Sequence, residues 1–556
     1  MHEPGNTPRQ TWLVAALAAL FFLPFLGGVH LFDWDEINFA EIAREMIVRG
    51  DYLKPHIDYQ PFFQKPPLFI WLQALSMQLF GVGEMAARLP NALCGILTLV
   101  LLYRLGARLY NPFFGWLWAG AYLGSVLPFL YFKSGIIDPW FNLFIFLGIY
   151  HLILYYWKID GIAFPFRYPA RYYQVLAGLF IGLGILTKGP VAYLLAALIA
   201  GVYWLYENLR FYIPLRDFAW ITLIALGTTL LWFVPELLLN GPSFLKEFTL
   251  YQIRLFSTAD AGHKGFLGYH VVVLLFGCFP ASIFAFRALF KVKKEHIAPE
   301  EEYQNDFRRW MRIGFWVVLV LFSVVGTKIV HYSSLAYFPI TYLGAWTLYQ
   351  MKNGTLPFGR RLRGGLLAVG GVYILLILVL PWLGKQIESL KPLFRDPFAQ
   401  ANLDANVRWT GLESFPALLL AAVLFFSMRA FSRKQTWSGF RLLFGGSALF
   451  VFLTLIAFVK RVEGYSQRAA IEFFESKAGE DCYILTHGYK SYAHLFYARK
   501  RPPVHPEAHD PYFLQYGDAD KPVYLVSKIH KTDEVLKMGG FRELYRKNGF
   551  VFFVRD

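Results

Sequence analysis

The sequence predicts a polytopic α-helical membrane protein that ends in a small α/β domain. Hydrophobic residues make up 56% of the 556 positions and charged residues only 17%, whereas about a quarter of an average soluble domain is charged. Apolar runs that reach the roughly 20 residues needed to cross a bilayer recur as far as residue 460. Beyond that point, short strand-like and helical segments alternate. We therefore expect about thirteen transmembrane helices in residues 1–460 and an α/β domain in residues 461–556.

The predicted spans are the apolar runs that lie between loops carrying most of the charge. They lie near residues 11–31, 84–106, 113–131, 138–157, 172–187, 189–206, 218–236, 266–289, 313–328, 331–350, 364–384, 413–430 and 440–460. A shorter apolar stretch at 66–82 predicts a helix on the membrane surface. No clean signal-peptidase site follows the first run, so we expect that run to be retained as a helix.

The charged loops predict the orientation of the chain. Five linkers are rich in Lys and Arg, at residues 157–171, 207–217, 287–312, 351–363 and 429–441. Because basic loops stay on the cytoplasmic side, the first loop, residues 32–65, and the C-terminal domain are expected on the outer face. The net charge of +16 then reflects topology and contact with anionic membrane lipids. Nucleic-acid binding needs a basic soluble face and is not indicated.

The last hundred residues read as alternating helices and strands. Helices are expected near residues 466–478, 490–498 and 531–538, and strands at CYILTHG and VYLVS, with a hairpin around Asn548-Gly549. This domain contains no G-x-G-x-x-G and no P-loop, so a nucleotide-sugar donor is not indicated. The three cysteines, an odd number without a CxxC pair, indicate neither a zinc ribbon nor a disulfide framework.

The first outward loop carries the strongest chemical signal. Asp35 and Glu36 precede a helical stretch at 36–49, whose apolar residues are expected to lie on the membrane, and Lys65 precedes Pro66-Pro67. A carboxylate can accept a proton from an acceptor hydroxyl, and a cation can stabilise charge on a departing phosphate. The structural alternative for Asp35 is a cap at the start of that helix.

Further isolated polar residues stand in the other outward loops, where ionisable groups at membrane depth tend to be functional. Arg254 is a candidate for the carrier phosphate, with surface anchoring as its alternative. His331 is a candidate for assisting Lys328, or an ordinary interfacial histidine. Tyr59 is a candidate for the acceptor entrance, or a membrane-belt tyrosine. The candidate polar residues in these outward loops are Lys133, Asp138, Lys188, Arg254, His263, Lys328, His331 and Tyr332.

The run DEINFAEIAREM…GDYLKP…FQKPPLFIW resembles the first periplasmic loop of the GT-C superfamily, in the branch of protein O-mannosyltransferases and lipid A aminoarabinose transferases. The resemblance covers the whole chain, including the spans, the outward loops and the C-terminal outer domain. It implies a GT-C type fold in a bacterial inner membrane, with the active site and the C-terminal domain in the periplasm.

The resemblance also implies roles for individual residues. Asp35 corresponds to the essential aspartate of loop one, and Asp138 to a second catalytic aspartate. Lys65 corresponds to a phosphate-binding lysine, and Lys328 and Tyr332 to residues near the carrier phosphate. His263 corresponds to a histidine that contacts phosphate or a metal.

Two departures from the family pattern bear on the substrate and the metal. Gln64 stands where the family has a glutamate, a proposed metal ligand alongside the histidine, and a neutral amide is a poor ligand for a transition metal. Asn38 and Phe39 replace an arginine and a tyrosine. A divalent metal is therefore not assured as a cofactor, and a donor or acceptor different from that of the aminoarabinose transferases is expected.

The expected activity is transfer of a monosaccharide from an undecaprenyl-phosphate donor to a lipid A-like or other envelope acceptor, with Glu36, Tyr59 and His331 near the acceptor. One alternative within the superfamily is a longer lipid-linked oligosaccharide donor or a protein acceptor. The other is a flippase for lipid-linked sugars, which would use inverted repeats; no mirrored halves are visible in the sequence.

Overall fold

The computed structural model describes residues 7–257, 265–290, 298–503, 505 and 507–556. Within those residues, seven helices are long and apolar enough to cross a membrane: Glu84–Leu109, Asp138–Ile159, Ala170–Lys188, Leu215–Asn240, Arg360–Lys385, Leu412–Ser432 and Thr436–Gly464. Most of the remaining predicted spans correspond to shorter or interrupted helices. The number of about thirteen spans stays a prediction.

The first part of the chain places loop one beside the membrane helices. Its elements are α1 (Thr7–Phe22), α2 (Asp35–Arg49), β1 (His56–Ile57), β2 (Gln60–Pro61) and α3 (Leu68–Phe80). Helix α2 begins at Asp35 itself, and no side-chain hydrogen bond caps it. The expectation that Asp35 is a helix cap is therefore wrong. Helix α3 lies where the sequence predicts a surface helix.

The central helices follow in order. They are α4 (Glu84–Leu109), α5 (Pro112–Leu123), α6 (Val126–Tyr131), α7 (Asp138–Ile159), α8 (Ala170–Lys188), α9 (Val191–Tyr206), α10 (Leu215–Asn240), α11 (Ser243–Ser257), α12 (Tyr269–Gly277), α13 (Ala281–Leu289), α14 (Glu302–Val324), α15 (Tyr337–Lys352), α16 (Arg360–Lys385), α17 (Ile387–Leu390), α18 (Pro397–Asn402), α19 (Phe415–Ser432), α20 (Thr436–Phe440) and α21 (Gly446–Gly464). A π-helical turn over Arg441–Gly445 joins α20 to α21.

Three predicted spans are interrupted for identifiable reasons. The run 113–131 breaks between α5 and α6 at Gly124, where a Cβ atom would lie 2.5 Å from the Phe444 carbonyl oxygen. The run 266–289 breaks at Pro280, which lacks a backbone donor and ends the preceding helix. The run 331–350 opens with a 3-10 turn over Val330–Ala336 before α15 begins. These breaks place irregular backbone near the candidate site.

The C-terminal domain is a four-stranded sheet with helices. It contains α22 (Arg468–Ser476), β3 (Tyr483–His487), α23 (Ala493–Tyr497), α24 (Pro511–Tyr516), β4 (Val523–Lys528), α25 (Thr532–Lys537), β5 (Arg542–Lys547) and β6 (Phe550–Arg555). The strand order is β3-β4-β6-β5, with β3 parallel to β4 and the other pairs antiparallel. Lys547 pairs with Phe550 across Asn548-Gly549, so the predicted hairpin is confirmed.

Loop one and the C-terminal domain share a hydrophobic core. Ile37 and Ile42 of α2 are buried in the same cluster as Ile471, Phe474 and Leu495 of the C-terminal domain. The expectation that the apolar face of α2 lies on the membrane is therefore wrong, because the C-terminal domain covers that face. The shared core fixes the start of α2, and hence Asp35, relative to the domain.

Candidate functional site

A cavity of about 1370 Å³ opens between the membrane helices, loop one and the C-terminal domain. Its wall is apolar along α6, α21 and the segment that follows α1, and it is charged near loop one. Cations outnumber carboxylates among the lining side chains. The ionisable and amide residues on the wall, with three of its four tyrosines, are Asp33, Asp35, Glu36, Asn38, Gln64, Lys65, Arg88, Lys133, Lys188, Tyr251, Arg254, His331, Tyr332, Lys460, Lys490 and Tyr492.

Asp35 stands on this wall in a partly open position. It is the first residue of α2, where the helix dipole stabilises a negative charge. Its side chain is 39% exposed, and one carboxylate oxygen lies 3.8 Å from Nε2 of His331. The carboxylate is thus held beside an imidazole and remains accessible from the cavity, as a proton acceptor must be.

Asp138 lies behind the wall and is paired. It begins α7, and its carboxylate accepts a hydrogen bond of 2.6 Å from the Lys188 ammonium at the end of α8. The side chain of Asp138 is 2% exposed. The Lys188 ammonium also lies 5.6 Å from the centroid of the Tyr332 ring and lines the cavity. Asp138 therefore acts on the cavity through Lys188, a pairing that the sequence does not indicate.

Glu36 is buried, and its carboxylate joins separate segments of the chain through hydrogen bonds. Its two oxygens accept hydrogen bonds of 3.0 and 2.9 Å from the Arg88 guanidinium, and they also bind the backbone N–H groups of Phe32 and Gly135. Burial alone would raise the pKa of Glu36, but Arg88 and these hydrogen bonds hold it below its usual value. Gly135 precedes α7, so Glu36 couples the loop before Asp35 to the turn before Asp138.

Two further cations flank one tyrosine at the other end of the charged wall. The Lys65 ammonium and the Arg254 guanidinium each lie 5.4 Å from the centroid of the Tyr251 ring on α11. Both cations line the cavity. Together with Lys188 and Tyr332, they form a positively charged region suited to a phosphate.

The structure does not bring every predicted residue into the cavity. The Lys328 ammonium donates to the carbonyl oxygens of Phe322, Ser323 and Val325 at 3.0, 2.6 and 2.6 Å, at the C-terminal end of α14. A cation there satisfies the free carbonyls of that helix. Tyr59 is buried and donates a 2.6 Å hydrogen bond to the Lys500 carbonyl. His263 lies outside the described residues.

Among the described residues of the cavity, the donors beside Gln64 do not suit a divalent metal. Gln64 supplies an amide, and its neighbours on the wall include the cations Lys65 and Arg254. In the described ranges, a His/Glu group close enough to share an ion consists of His30, Glu84 and Glu475, and these three are not part of the cavity wall. We assign no step to a metal.

Sequence analysis missed several residues on the wall. Arg88 is a cation near the start of the apolar helix α4, a pattern that signals a buried partner. Trp34, Lys490 and Tyr492 carry no sequence signal, because Lys490 and Tyr492 reach the cavity only when the C-terminal domain folds over loop one. The site is therefore formed by residues of the membrane part and of the C-terminal domain together.

Comparisons with known proteins support this arrangement. Residues 64–238 match the family model described as dolichyl-phosphate-mannose-protein mannosyltransferase. A crystal structure of ArnT from Cupriavidus metallidurans, bound to undecaprenyl phosphate, superposes with a TM-score of 0.75 over 98% of both chains at 18% identity. This likeness confirms the predicted fold class, a helical membrane protein with a C-terminal sheet domain, and shows a multi-pass membrane protein.

Named relatives are more similar in sequence than this solved structure, and their names agree with one another. Two are undecaprenyl phosphate-α-4-amino-4-deoxy-L-arabinose arabinosyl transferases. The protein from Photorhabdus laumondii is 27% identical over 350 residues, which span 62% of this chain and 61% of the relative. The protein from Yersinia pestis is 25% identical over 504 residues, spanning 88% and 84%. The first match thus leaves more than a third of that relative unmatched.

Proposed function

We propose that this chain is a membrane glycosyltransferase of the GT-C type, and that it transfers a monosaccharide from undecaprenyl phosphate to an acceptor of the cell envelope. The named relatives act with an undecaprenyl-phosphate sugar, which supports this donor. The proposed setting is the bacterial inner membrane, with the cavity and the C-terminal domain on the periplasmic side. A lipid A-like molecule is the proposed acceptor.

The observation that carries the proposal is the open carboxylate of Asp35 inside a cavity dominated by cations. Lys65, Arg254 and Lys188 would hold the carrier phosphate, and Tyr332 lies beside Lys188. The apolar wall near α1, α6 and α21 suits a lipid chain. The cavity can thus hold the phosphate and the lipid chain of the donor beside Asp35, the proposed proton acceptor.

The proposed reaction is a single displacement at the anomeric carbon. An acceptor oxygen forms a bond to that carbon while the bond from carbon to the phosphate oxygen breaks, which inverts the configuration. The acceptor proton passes to Asp35, and the departing phosphate keeps the electron pair beside the cations. Where the acceptor is a phosphate that has already ionised, Asp35 orients it and takes no proton.

His331 and the pair of Asp138 with Lys188 support these two groups. The His331 ring lies beside the Asp35 carboxylate, with 3.8 Å between Nε2 and the nearer oxygen. Asp138 holds the Lys188 ammonium at a fixed place on the wall, because a 2.6 Å ion pair restrains its long side chain. Both contacts preorganise charge before the substrates arrive, which is how an active site stabilises a transition state.

A transfer assay in proteoliposomes tests the proposal. Wild type, Asp35→Asn and Asp51→Asn would receive radiolabelled undecaprenyl-phosphate monosaccharides and an envelope lipid extract. Asp51 is a matched control, since it lies in loop one outside the cavity wall and Asn retains its hydrogen bonds to the N–H groups of Leu53 and Lys54. We expect Asp35→Asn to lose at least about 100-fold in transfer with unchanged thermal unfolding.

Each outcome has a defined meaning. Label that moves only with wild type and Asp51→Asn establishes the activity, and the responding donor identifies the sugar. Transfer at the wild-type rate by Asp35→Asn would remove the proton-acceptor role. No movement from any monosaccharide carrier would contradict the proposed donor, and the longer lipid-linked donors and a flipping assay would be tested next.

A further inference from the structure

One part of the cavity wall has no place in the reaction described so far. We propose that Trp34, Lys490 and Tyr492, called here the platform, bind the headgroup of the acceptor, and that this headgroup is a saccharide with an anionic group. The proposal rests on the proposed function, because it assigns the second substrate of the same cavity. Two of the three residues come from the C-terminal domain.

The platform presents aromatic faces and a positive charge to open space. Trp34 directly precedes Asp35, and its ring is 47% exposed although it lines the cavity. The Tyr492 ring meets it edge-to-face, at 6.2 Å between centroids. The Lys490 ammonium lies 5.2 Å from the Trp34 centroid and 5.6 Å from that of Tyr492. An exposed tryptophan in a cavity, beside a proton acceptor, is a typical ligand contact.

The platform is held in place from below. The Ser491 hydroxyl, which is buried, donates to the Asp33 carboxylate and accepts a 3.1 Å hydrogen bond from the Ala493 backbone. The Tyr489 ring packs edge-to-face on Phe550 of β6 at 5.6 Å. Residues 33–35 and 490–492 are therefore fixed relative to each other. A preorganised site of this kind loses little entropy when a ligand binds.

The chemistry of the platform indicates the class of ligand. The flat apolar faces of Trp34 and Tyr492 match the C–H faces of a sugar ring. Ring faces attract the Lys490 ammonium but do not neutralise its charge, so an anionic group on the ligand gains a charge-assisted hydrogen bond there. A saccharide that carries a phosphate or a carboxylate satisfies both requirements.

The position of the platform favours the acceptor over the donor. The donor phosphate has its own cations, Lys65, Arg254 and Lys188, on the membrane part of the chain. Lys490 and Tyr492 instead belong to the C-terminal domain. Trp34 places a headgroup on the platform next to Asp35, which must meet the acceptor oxygen.

The test compares Lys490→Gln and Trp34→Leu with wild type and with Lys528→Gln. Lys528 is a matched control, because its ammonium also lies over two rings of this region, Phe398 and Tyr489 at 4.6 and 5.9 Å, but it does not line the cavity. The probes are lipid A with two phosphates and lipid A with one phosphate. Binding is measured by native mass spectrometry, and transfer by KM for each probe and KM for the carrier sugar.

We expect Lys490→Gln to weaken binding of the two-phosphate probe by about tenfold or more, and to lose the preference over the one-phosphate probe. Trp34→Leu should weaken both probes equally. KM for the carrier sugar should not change, and Lys528→Gln should match wild type. Unchanged probe binding in Lys490→Gln and Trp34→Leu would overturn the proposal, as would a change in donor KM alone, which would place the donor sugar on the platform.

This design distinguishes failure of the acceptor-site proposal from failure of the transferase proposal. The binding measurement needs no turnover, so it tests the platform even where no donor is accepted. Transfer that works in wild type and is unaffected by the platform variants would reject the acceptor site and keep the transferase. Probe binding that depends on Lys490 without any transfer would keep the acceptor site and reject the reaction.

Discussion

Helix α2 carries two groups of charged residues with opposite properties. At its start, Asp35 is 39% exposed and has only a long contact to His331. One to three turns later lies the interdomain cluster, defined as Glu41, Arg44, Glu45, Tyr59 and Lys500. There the Arg44 guanidinium donates to both oxygens of Glu41 at 2.7 and 2.6 Å and to the Lys500 carbonyl at 2.9 Å.

The difference separates a carboxylate that is open to the cavity from ionisable side chains that join loop one to the C-terminal domain. In the interdomain cluster the Glu41 and Glu45 side chains are fully buried, and Tyr59 binds Glu45 through its backbone and Lys500 through its hydroxyl. Those contacts tie loop one to the C-terminal domain. Asp35 keeps its oxygens accessible. Acidic residues on the same helix therefore differ in exposure and in role, and the difference follows from the residues that each one contacts.

The largest effect is expected from Lys188→Met, which removes a cavity cation that is paired with the buried carboxylate of Asp138. Asp138 would be left 2% exposed without its cation, which costs about 3–5 kcal/mol of stability, and the carrier phosphate would lose a contact. We expect transfer to fall by about 100-fold and thermal unfolding in detergent to shift down. Asp138→Asn combined with Lys188→Met should recover stability but not transfer. Wild-type unfolding of the single variant would contradict the pairing.

Arg44→Met tests the interdomain cluster by the same physical reasoning. Removing the guanidinium leaves Glu41 buried without its partner, so we expect a loss of about 3 kcal/mol of stability. Transfer per folded molecule, measured well below the unfolding temperature, should be retained. Arg49→Met is the control, because Arg49 is exposed on the same helix. A large loss of transfer in folded Arg44→Met would show that this cluster also shapes the active site.

A smaller effect is expected when pH is varied across the interdomain cluster. Burial first, and then the neighbouring Glu41, raise the pKa of Glu45 to about 9. The unfolded chain releases this proton near the ordinary glutamate pKa, so stability falls as pH rises from there toward 9, by at most about 1.4 kcal/mol per pH unit. Glu45→Gln cannot ionise and should flatten this slope in thermal unfolding. An identical slope in the variant would exclude Glu45 as its source.

Tyr59→Phe should have the smallest effect. It removes the hydrogen bond from the Tyr59 hydroxyl to the Lys500 carbonyl, worth about 1 kcal/mol. The ring stays packed, and the Arg44 bond to the same carbonyl remains. We expect a small downward shift in unfolding and unchanged KM for the acceptor. A raised acceptor KM with normal stability would instead restore the acceptor-entrance role that the sequence suggested for Tyr59.

Much of the fold was predictable because it depends on local patterns. The apolar runs, the helices near 36–49 and 66–82, and the hairpin at Asn548-Gly549 each follow from neighbouring residues. The close approach of Gly124 to the Phe444 carbonyl was not predictable, because it joins segments far apart in the chain. In the site, the motif around Asp35 and Lys65 was visible, and its assignment to catalysis stays a prediction. The placement of Lys328 on its own helix end and of Tyr59 between domains was not visible.

The sequence by itself determined the class of the protein, a helical membrane protein with a C-terminal α/β domain, and it singled out Asp35. These properties reside in composition, periodicity and one contiguous loop. Only the tertiary structure decided that Glu36 binds Arg88, that Asp138 binds Lys188, and that Lys490 faces Trp34. Each pair joins residues far apart in the chain, and whether a charge is exposed or paired depends on which distant segment packs against it.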